Sequence, residues 1–439
     1  MAEQTASPSP LDGADRELRE LQQFLLFLGS ALTAAGAAVN DIEDHLRRVA
    51  AAYGAPDARV SVLPTYLVVS LEPGRAATLE PTRQLGGVLR LDQTAALFYL
   101  LKSAERGGIP PVRGGRQVLR IVDMTPRFGP FVRVLGHAVM TAGICLVLRP
   151  TWGDLVLAGF FGLLVGIFKL LAARWAGAQM IMPVVAAYTV AALTLTLAGT
   201  QWADADLRAM VAPLVTFLPG ATLTMAVIEL SAAEMIAGAS RLVAGAVQLL
   251  LLSLGIIGAA QTVGLPQPDV AGNVLQDSLG AWAPWIGALV VGVGVYLHYS
   301  GPPGSLGWLC LVLYAGWIGQ YAGDQVIGGY MSGFVGAIVL TIAAYLVERT
   351  PSGPPALVSF LPGFWLLVPG ALSLIGVTEY LSQDTARGSA DLVSAASSIA
   401  AIALGVLCGH PLYRSLARSL GRRDKGHRDK GRRDKGQTR

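Results

Sequence analysis

Between residues 131 and 409 apolar runs alternate with short polar breaks, and each run approaches the roughly 20 residues that one helix needs to cross a bilayer. Ten runs are legible, near 131–148, 154–173, 179–199, 208–229, 233–259, 280–298, 305–322, 328–347, 355–378 and 389–409. Residues 1–130 have a different texture, with charge at the density of a soluble protein. Their one long apolar stretch, FLLFLGSALTAAGAAV at 24–39, is short, rich in small residues and followed at once by Asn40, Asp41, Glu43 and Asp44. It reads as a buried helix rather than an eleventh span. Residues 58–73 alternate and are β-branched, as a strand pair would be, and 91–108 have helical spacing with a glycine stop. The expected fold is an α-helical polytopic membrane protein of ten spans, preceded by a small α/β or α+β domain at 1–130 and followed by a polar tail at 411–439.

Sliding the chain against itself by 150 residues aligns the fourth and fifth runs with the ninth and tenth. Pro219/Pro369, Gly220/Gly370, Glu229/Glu379, Gly238/Gly388 and Gly255/Gly405 coincide, and Glu234 falls opposite Asp384. The repeat unit is five spans, an odd number, so the second copy enters the membrane from the opposite side. Two inverted five-helix repeats follow, at 131–260 and 261–410. Such repeats, each with an interrupted helix, build many secondary transporters, with the substrate site near the midplane where the repeats meet. FLPGATLT at 217–224 and LVPGALSL at 367–374 supply the interruptions. Proline removes a backbone donor and glycine permits unusual dihedrals, so Pro219, Gly220, Pro369 and Gly370 are candidate shapers of a central site.

Charge sharpens this picture. Only 14% of residues are charged, and the net charge of +4 is unevenly spread. Residues 1–130 balance, 131–413 carry 8 basic and 12 acidic side chains, and 414–439 carry 11 basic and 3 acidic. The basic surplus therefore belongs to the tail, which excludes diffuse basicity as a nucleic-acid footprint. Arg127, Arg133, Lys169, Arg174, Arg349 and the tail fall on one side of the ten-span scheme, with Arg149 and Arg387 as exceptions, which places both termini in the cytoplasm by the positive-inside rule. The acidic start argues against a secretory signal. RRDKG-HRDKG-RRDKG at 422–436 reads as a disordered segment suited to anionic lipid or to anchoring the topology. Cys145, Cys310 and Cys408 are too scattered for a disulfide framework and read as small buried side chains.

Ionisable groups inside spans default to function. Glu229 and Glu379 each lie nine residues beyond a Pro-Gly glycine and are candidate proton carriers. Glu234 and Asp384 begin the next helices, and Ser231-Ala-Ala-Glu234 also fits a capping box, so capping and proton work stand side by side. Arg241 aligns with Asp391, a candidate charge pair across the repeats. His137 reads as hydrogen-bonded between helices, and no metal site is expected. Gly162/Gly166 and Gly329/Gly333 are small-residue faces for close packing. The cluster Asp41, Glu43, Asp44, His45 reads as a solvated helix face. No P-loop, GxSxG elbow, HExxH or complete dinucleotide fingerprint occurs, and no cofactor is expected.

Leu28-Gly29, Leu32, Gly36-Ala37, Val39, Glu43, Gly54, Pro64-Thr65 and Val69-Ser70, followed by the Leu-Pro-Gly and Val-Pro-Gly spans with their acids, resemble the threonine/serine exporter family over about 20–410. The resemblance implies a ten-helix inner-membrane carrier that exports threonine and serine on the proton motive force. In that frame Thr222, Thr224 and Ser373 are candidate hydroxyl contacts to substrate. The family's N-terminal domain has been likened to hydrolases, but no nucleophile–base pair is visible here and no activity is carried over. The alternative reading is a membrane-anchored enzyme or sensor whose activity lies in 1–130. Oligomeric state is not set by the sequence, a homo-oligomer being one option.

Overall fold

The computed structural model describes residues 10–71, 78–81, 88–148, 150–197, 210–263, 279–367, 370–381 and 385–436. The chain begins with α1 (Pro10–Ala34) and α2 (Val39–Ala52), then a three-stranded antiparallel sheet of β1 (Arg59–Val62), β2 (Tyr66–Ser70) and β3 (Thr78–Pro81), then α3 (Leu91–Ala104) and α4 (Pro111–Val122). The alternation predicted two strands; the sheet has three, with Val60 opposite Val69 and Val69 opposite Thr78. The apolar stretch at 24–39 is a buried helix and the turn after it. Phe24, Leu25, Leu28 and Leu32 recur at helical spacing and bury themselves against Ile42, Leu46, Leu67, Leu97 and Val118. Gly29 lets this happen, since a Cβ there would come within 2.7 Å of Leu67 and 2.9 Å of Leu46. Among the acidic cluster of α2, Glu43 is not solvated. It is buried, and its Oε1 accepts the backbone N–H of Val62 at 2.9 Å, tying the helix to β1.

Every apolar run after residue 130 is helical. The helices are α5 (Pro130–Val147), α6 (Trp152–Ala172), α7 (Ala176–Leu197), a 3-10 turn (Ala212–Phe217) leading to α8 (Gly220–Ser231), α9 (Met235–Val263), α10 (Ala283–His298), α11 (Leu306–Val326), α12 (Ser332–Glu348), α13 (Ala356–Leu367), α14 (Gly370–Leu381) and α15 (Thr385–Gly436). Among the described residues six stretches, including Ala212–Ser231 and Ala386–Arg418, are long and apolar enough to cross a membrane; α10, α12 and α13 are shorter apolar helices. The chain is thus a helical multi-pass membrane protein.

Close packing follows the glycines, and it recurs along the chain. Gly255 on α9 sits where a Cβ would meet Val184 O and Ala187 Cβ of α7; Gly405 on α15 does the same against Phe334 O and Ala337 Cβ of α12. Gly238 faces Ala226 O and Leu230 N, and Gly388 faces Gly376 O and Tyr380 N. Each contact in the second half lies 150 residues after its counterpart. Between the halves, α5 and α10 run antiparallel with their backbones almost touching: Gly136 lies against His298, Gly143 against Val291, Gly287 against Val147 and Gly294 against Met140.

Three expectations change. The capping box at Ser231 does not form, because Ser231 is the last residue of α8 and its hydroxyl donates to Val227 O at 2.8 Å; the turn between α8 and α9 is made instead by Ala233 with φ of 67°. Gly329 precedes α12 in a 3-10 turn with nothing near it, so only Gly333, against Ile402, packs closely. α15 continues through the RDKG repeat to Gly436, where the sequence suggested no element. Of the cysteines, Cys145 is buried and the other two are half-buried.

Candidate functional site

The first Pro-Gly span is interrupted, and its new helix start lies beside the helix start of the second. Residues 212–217 form a 3-10 turn, Leu218 is extended, and α8 starts afresh at Gly220 with Leu223 donating to Pro219 O at 2.8 Å. Pro219 cannot donate a backbone hydrogen bond, so the turn before it cannot run on as one helix. In the second half the described part of α14 begins at Gly370. A Cβ on Gly370 would stand 3.1 Å from Leu218 Cβ and 3.6 Å from Gly220 N, so the two new helix starts lie side by side. Pro369 and Asp384 are outside the described residues.

Beside these starts lies a cavity of about 540 Å³, within the range of small-molecule sites. Gly220, Thr222 and Gly370 line it, as do Thr216, Arg241 and Tyr299. Residues Thr33 to Gly36, at the end of α1 and in the turn after it, form another part of its wall. Thr224 and Ser373 are buried outside that lining. The Thr224 hydroxyl is turned into its own helix, donating to Gly220 O at 3.0 Å. Leu361 and Pro362 also line the cavity, from a second copy of Phe-Leu-Pro-Gly at 360–363 that repeats 217–220 letter for letter. That match is visible in the sequence but lies at an offset of 143, not 150.

Glu229 is fully buried and joins three elements. Its Oε2 accepts from Arg241 Nε at 2.9 Å, and its Oε1 accepts the backbone N–H of Val39 at 3.4 Å. Val39 is the first residue of α2, so the carboxylate caps a helix start from the N-terminal segment. Arg241 therefore pairs with Glu229 and not with Asp391. The physical reason is reach: both side chains face the α8/α9 turn, whereas Asp391 lies against Gly376 on α14. Glu234 stands at the start of α9, half-buried, where its carbonyl accepts from Gly238 N at 2.9 Å. Glu379 is buried at the corresponding place in α14.

A second polar cluster lies behind Thr216 and Tyr299. His137 Nδ1 faces Gly162 O at 2.8 Å, and a carbonyl can only accept, so Nδ1 carries the proton and Nε2 accepts from the Thr216 hydroxyl at 3.3 Å. His298 repeats the arrangement: Nδ1–H donates to Arg133 O at 2.9 Å, and Nε2 accepts from Lys169 Nζ at 3.2 Å. The two rings stand 5.0 Å apart. Lys169 lies 5.6 Å from the ring centre of Phe217 and 5.9 Å from that of Tyr299. Sequence reasoning used Lys169 only as a topology charge, although its place within GLLVGIFKLL marked it as ionisable inside a span.

The N-terminal segment is stitched to the membrane helices elsewhere too. Leu91 N donates to Tyr299 O at 3.0 Å, Arg127 Nη1 donates to Tyr296 Oη at 2.6 Å, and Lys102 pairs with Glu348 at 2.6 Å.

A family model described as "Putative threonine/serine exporter" matches residues 23–263, more than half of the chain. The matched stretch runs from α1 through α9 and so contains Lys169, Gly220, Thr222, Glu229 and Arg241. No curated protein and no solved structure matches the chain.

Proposed function

The chain belongs to the threonine/serine exporter family, and from that premise we propose that it is a secondary transporter exporting threonine and serine across the inner membrane, driven by the proton motive force. One observation carries the reading: the helices that begin at Gly220 and Gly370, 150 residues apart in sequence, set their starts side by side on one cavity of small-molecule size. Helix starts offer free N–H groups and the positive end of the helix dipole, and Thr222 adds a hydroxyl. The site would be shaped by Pro219, Gly220, Pro369 and Gly370, with Thr224 and Ser373 supporting the two helices.

The carrier architecture we propose is ten spans in two inverted five-helix repeats, 131–260 and 261–410, with 1–130 as a cytoplasmic domain and both termini inside. The glycine contacts that recur 150 residues apart support it, as does the antiparallel crossing of α5 and α10, the first helices of the two halves. Glu229 and Glu379 are the proposed proton carriers, with Glu234 and Asp384 beside them. Protonating Glu229 would dissolve its ion pair with Arg241, which lines the cavity, and so would join proton binding to the substrate site.

The test is flux of labelled threonine and serine in proteoliposomes, with and without a pH gradient. Accumulation driven by the gradient, abolished in Glu229→Gln and Glu379→Gln, is expected. No threonine or serine flux in the wild type overturns the substrate assignment, and flux indifferent to the gradient overturns the coupling.

A further inference from the structure

The break before Pro219 leaves backbone oxygens without donors. The Val215 carbonyl accepts from Leu218 N at 3.3 Å, and the Phe217 carbonyl accepts from Gln248 Nε2 at 3.3 Å. Pro219 has no N–H to give, and among the described residues no hydrogen bond reaches the carbonyls of Thr216 or Leu218. Both residues are half-buried and line the cavity. Non-helical backbone at membrane depth is tolerated where it lines such a space, and a carbonyl there still calls for a donor. The same four letters at 360–363 do not produce this arrangement. Pro362 lies inside α13, which runs from Ala356 to Leu367, and Ser359, in the place of Thr216, turns its hydroxyl back to Ala356 O at 3.3 Å.

The Thr216 side chain adds a third acceptor. His137 is fully buried, and its Nδ1–H is spent on Gly162 O, so its Nε2 takes the Thr216 hydroxyl hydrogen at 3.3 Å. With that hydrogen committed, Thr216 Oγ1 has only lone pairs left for the cavity. No Asp or Glu is among the described residues that line the cavity, and Arg241 is the one charged side chain there. A positive group on a ligand therefore has to be met by neutral oxygens, and an ammonium has three N–H donors for three such acceptors.

We infer that Thr216 Oγ1 and the carbonyl oxygens of Thr216 and Leu218 form a subsite for the ammonium group of an amino acid, with His137 as the positioning residue that keeps Thr216 an acceptor. The inference deepens the transporter reading and rests on it for the identity of the ligand. The carboxylate of the same ligand would turn to the free N–H groups at the start of α8, on the other side of Pro219, so that one break answers both ends of the zwitterion.

The experiment uses the full chain reconstituted in phosphatidylcholine, in sodium chloride and in choline chloride. Binding of L-threonine and of 3-hydroxybutyrate, which lacks only the ammonium, is measured by ligand-induced thermal stabilisation. The chains compared are the wild type, Thr216→Val, Thr216→Ser and, as a control off the cavity, Ser359→Ala. A hydrogen bond to a charged group predicts threonine binding weakened about tenfold or more in Thr216→Val and largely kept in Thr216→Ser and Ser359→Ala. Weak 3-hydroxybutyrate binding should be the same in all four. His137→Leu frees the Thr216 hydrogen and should narrow the preference for threonine over 3-hydroxybutyrate, which a loss of packing alone would leave in place. An unchanged preference there removes His137 from the subsite. Equal threonine affinity in wild type and Thr216→Val overturns the subsite, as does 3-hydroxybutyrate binding the wild type as tightly as threonine, or a wild type that no amino acid stabilises. Stabilisation by sodium alone that vanishes in Thr216→Val would give these oxygens to a metal ion and also overturns it. The two readings fail separately. Threonine flux unchanged in Thr216→Val removes the subsite and leaves the transporter. If the wild type moves no threonine but is stabilised by another amino acid in a Thr216-dependent way, the substrate assignment fails and the subsite stands. Thr216→Ala, which removes the same oxygen, keeps the test open should Thr216→Val lower the unliganded melting temperature.

Discussion

At Glu229 a single buried carboxylate is shared between a side chain 12 residues away and a backbone amide 190 residues away. Removing one member of a buried ion pair strands the other and costs about 3–5 kcal/mol, while removing both costs much less. Arg241→Ala is therefore expected to lower the melting temperature in detergent far more than Arg241→Ala with Glu229→Ala, and a double-mutant cycle reads the difference. Equal losses would show that the pair contributes nothing. Glu105 offers a contrast outside the membrane helices. Burial pushes its carboxyl up, but hydrogen bonds from His45 at 2.7 Å and Arg48 at 2.8 Å outweigh this and hold it below the ordinary value. A lowered folded pKa gives stability that is present above the unfolded value, about 4.3, and is lost as pH falls through the folded value. Glu105→Gln should thus cost about 0.5–1 kcal/mol at pH 7, Arg48 being half exposed, and nothing once the wild-type carboxyl is itself protonated. Thermal unfolding of both proteins across that range checks the sign. Neither partnership could be read from the sequence. Glu229 was legible as an acid in a broken span, but what answers a buried charge is decided by which elements fold against it, and Val39 lies in a different part of the chain.

Elements were more legible, because their signals are local and periodic. The apolar runs, the first Pro-Gly break and the glycines matched at an offset of 150 correspond to helices, a break and contacts among the described residues, while the second Pro-Gly break falls outside them. The element left unread was the axis between the halves. Gly136 and Gly143 on α5 are seven residues apart, as are Gly287 and Gly294 on α10, and these four glycines allow the two backbones to meet. The pattern is visible once the contact is known, but it is displaced by one residue from the offset that aligns the rest, so an ungapped comparison conceals it. A substitution separates the roles of the glycines. At Gly294 a Cβ would fall 2.2 Å from Met140 N, a backbone atom that cannot step aside, whereas nothing lies within 4 Å of Gly159 on α6. Gly294→Ala should destabilise by about 1–3 kcal/mol or more, with loss of yield in membranes. Gly159→Ala should be neutral or stabilise by about 0.5–1 kcal/mol through helix propensity. Melting curves of the two variants side by side decide whether the α5/α10 contact holds the halves together.

For the whole molecule, the consequence is that the N-terminal segment is part of the cavity and not an appendage. Thr33 to Gly36 line it, Val39 is fastened to Glu229, and Leu91 to the carbonyl of Tyr299, another lining residue. One of these fastenings ends on a group tied to the candidate chemistry, Glu229 through Arg241. If a ligand passes that wall the segment is displaced, and a proton on Glu229 would alter a bond that holds it. Fixing the segment should therefore stop transport without touching the site. Lys102 on α3 and Glu348 at the end of α12 pair at 2.6 Å across the junction, away from the cavity lining, and are partly accessible. With Cys145, Cys310 and Cys408 replaced by serine, Lys102→Cys and Glu348→Cys can be joined by a short bifunctional thiol reagent. Threonine flux is expected to fall at least tenfold on joining both cysteines, to return when a cleavable linker is reduced, and to stay unchanged when either single-cysteine chain is treated. Full flux through the cross-linked chain would mean that the segment stays in place during transport, and that the cavity opens between the membrane helices alone.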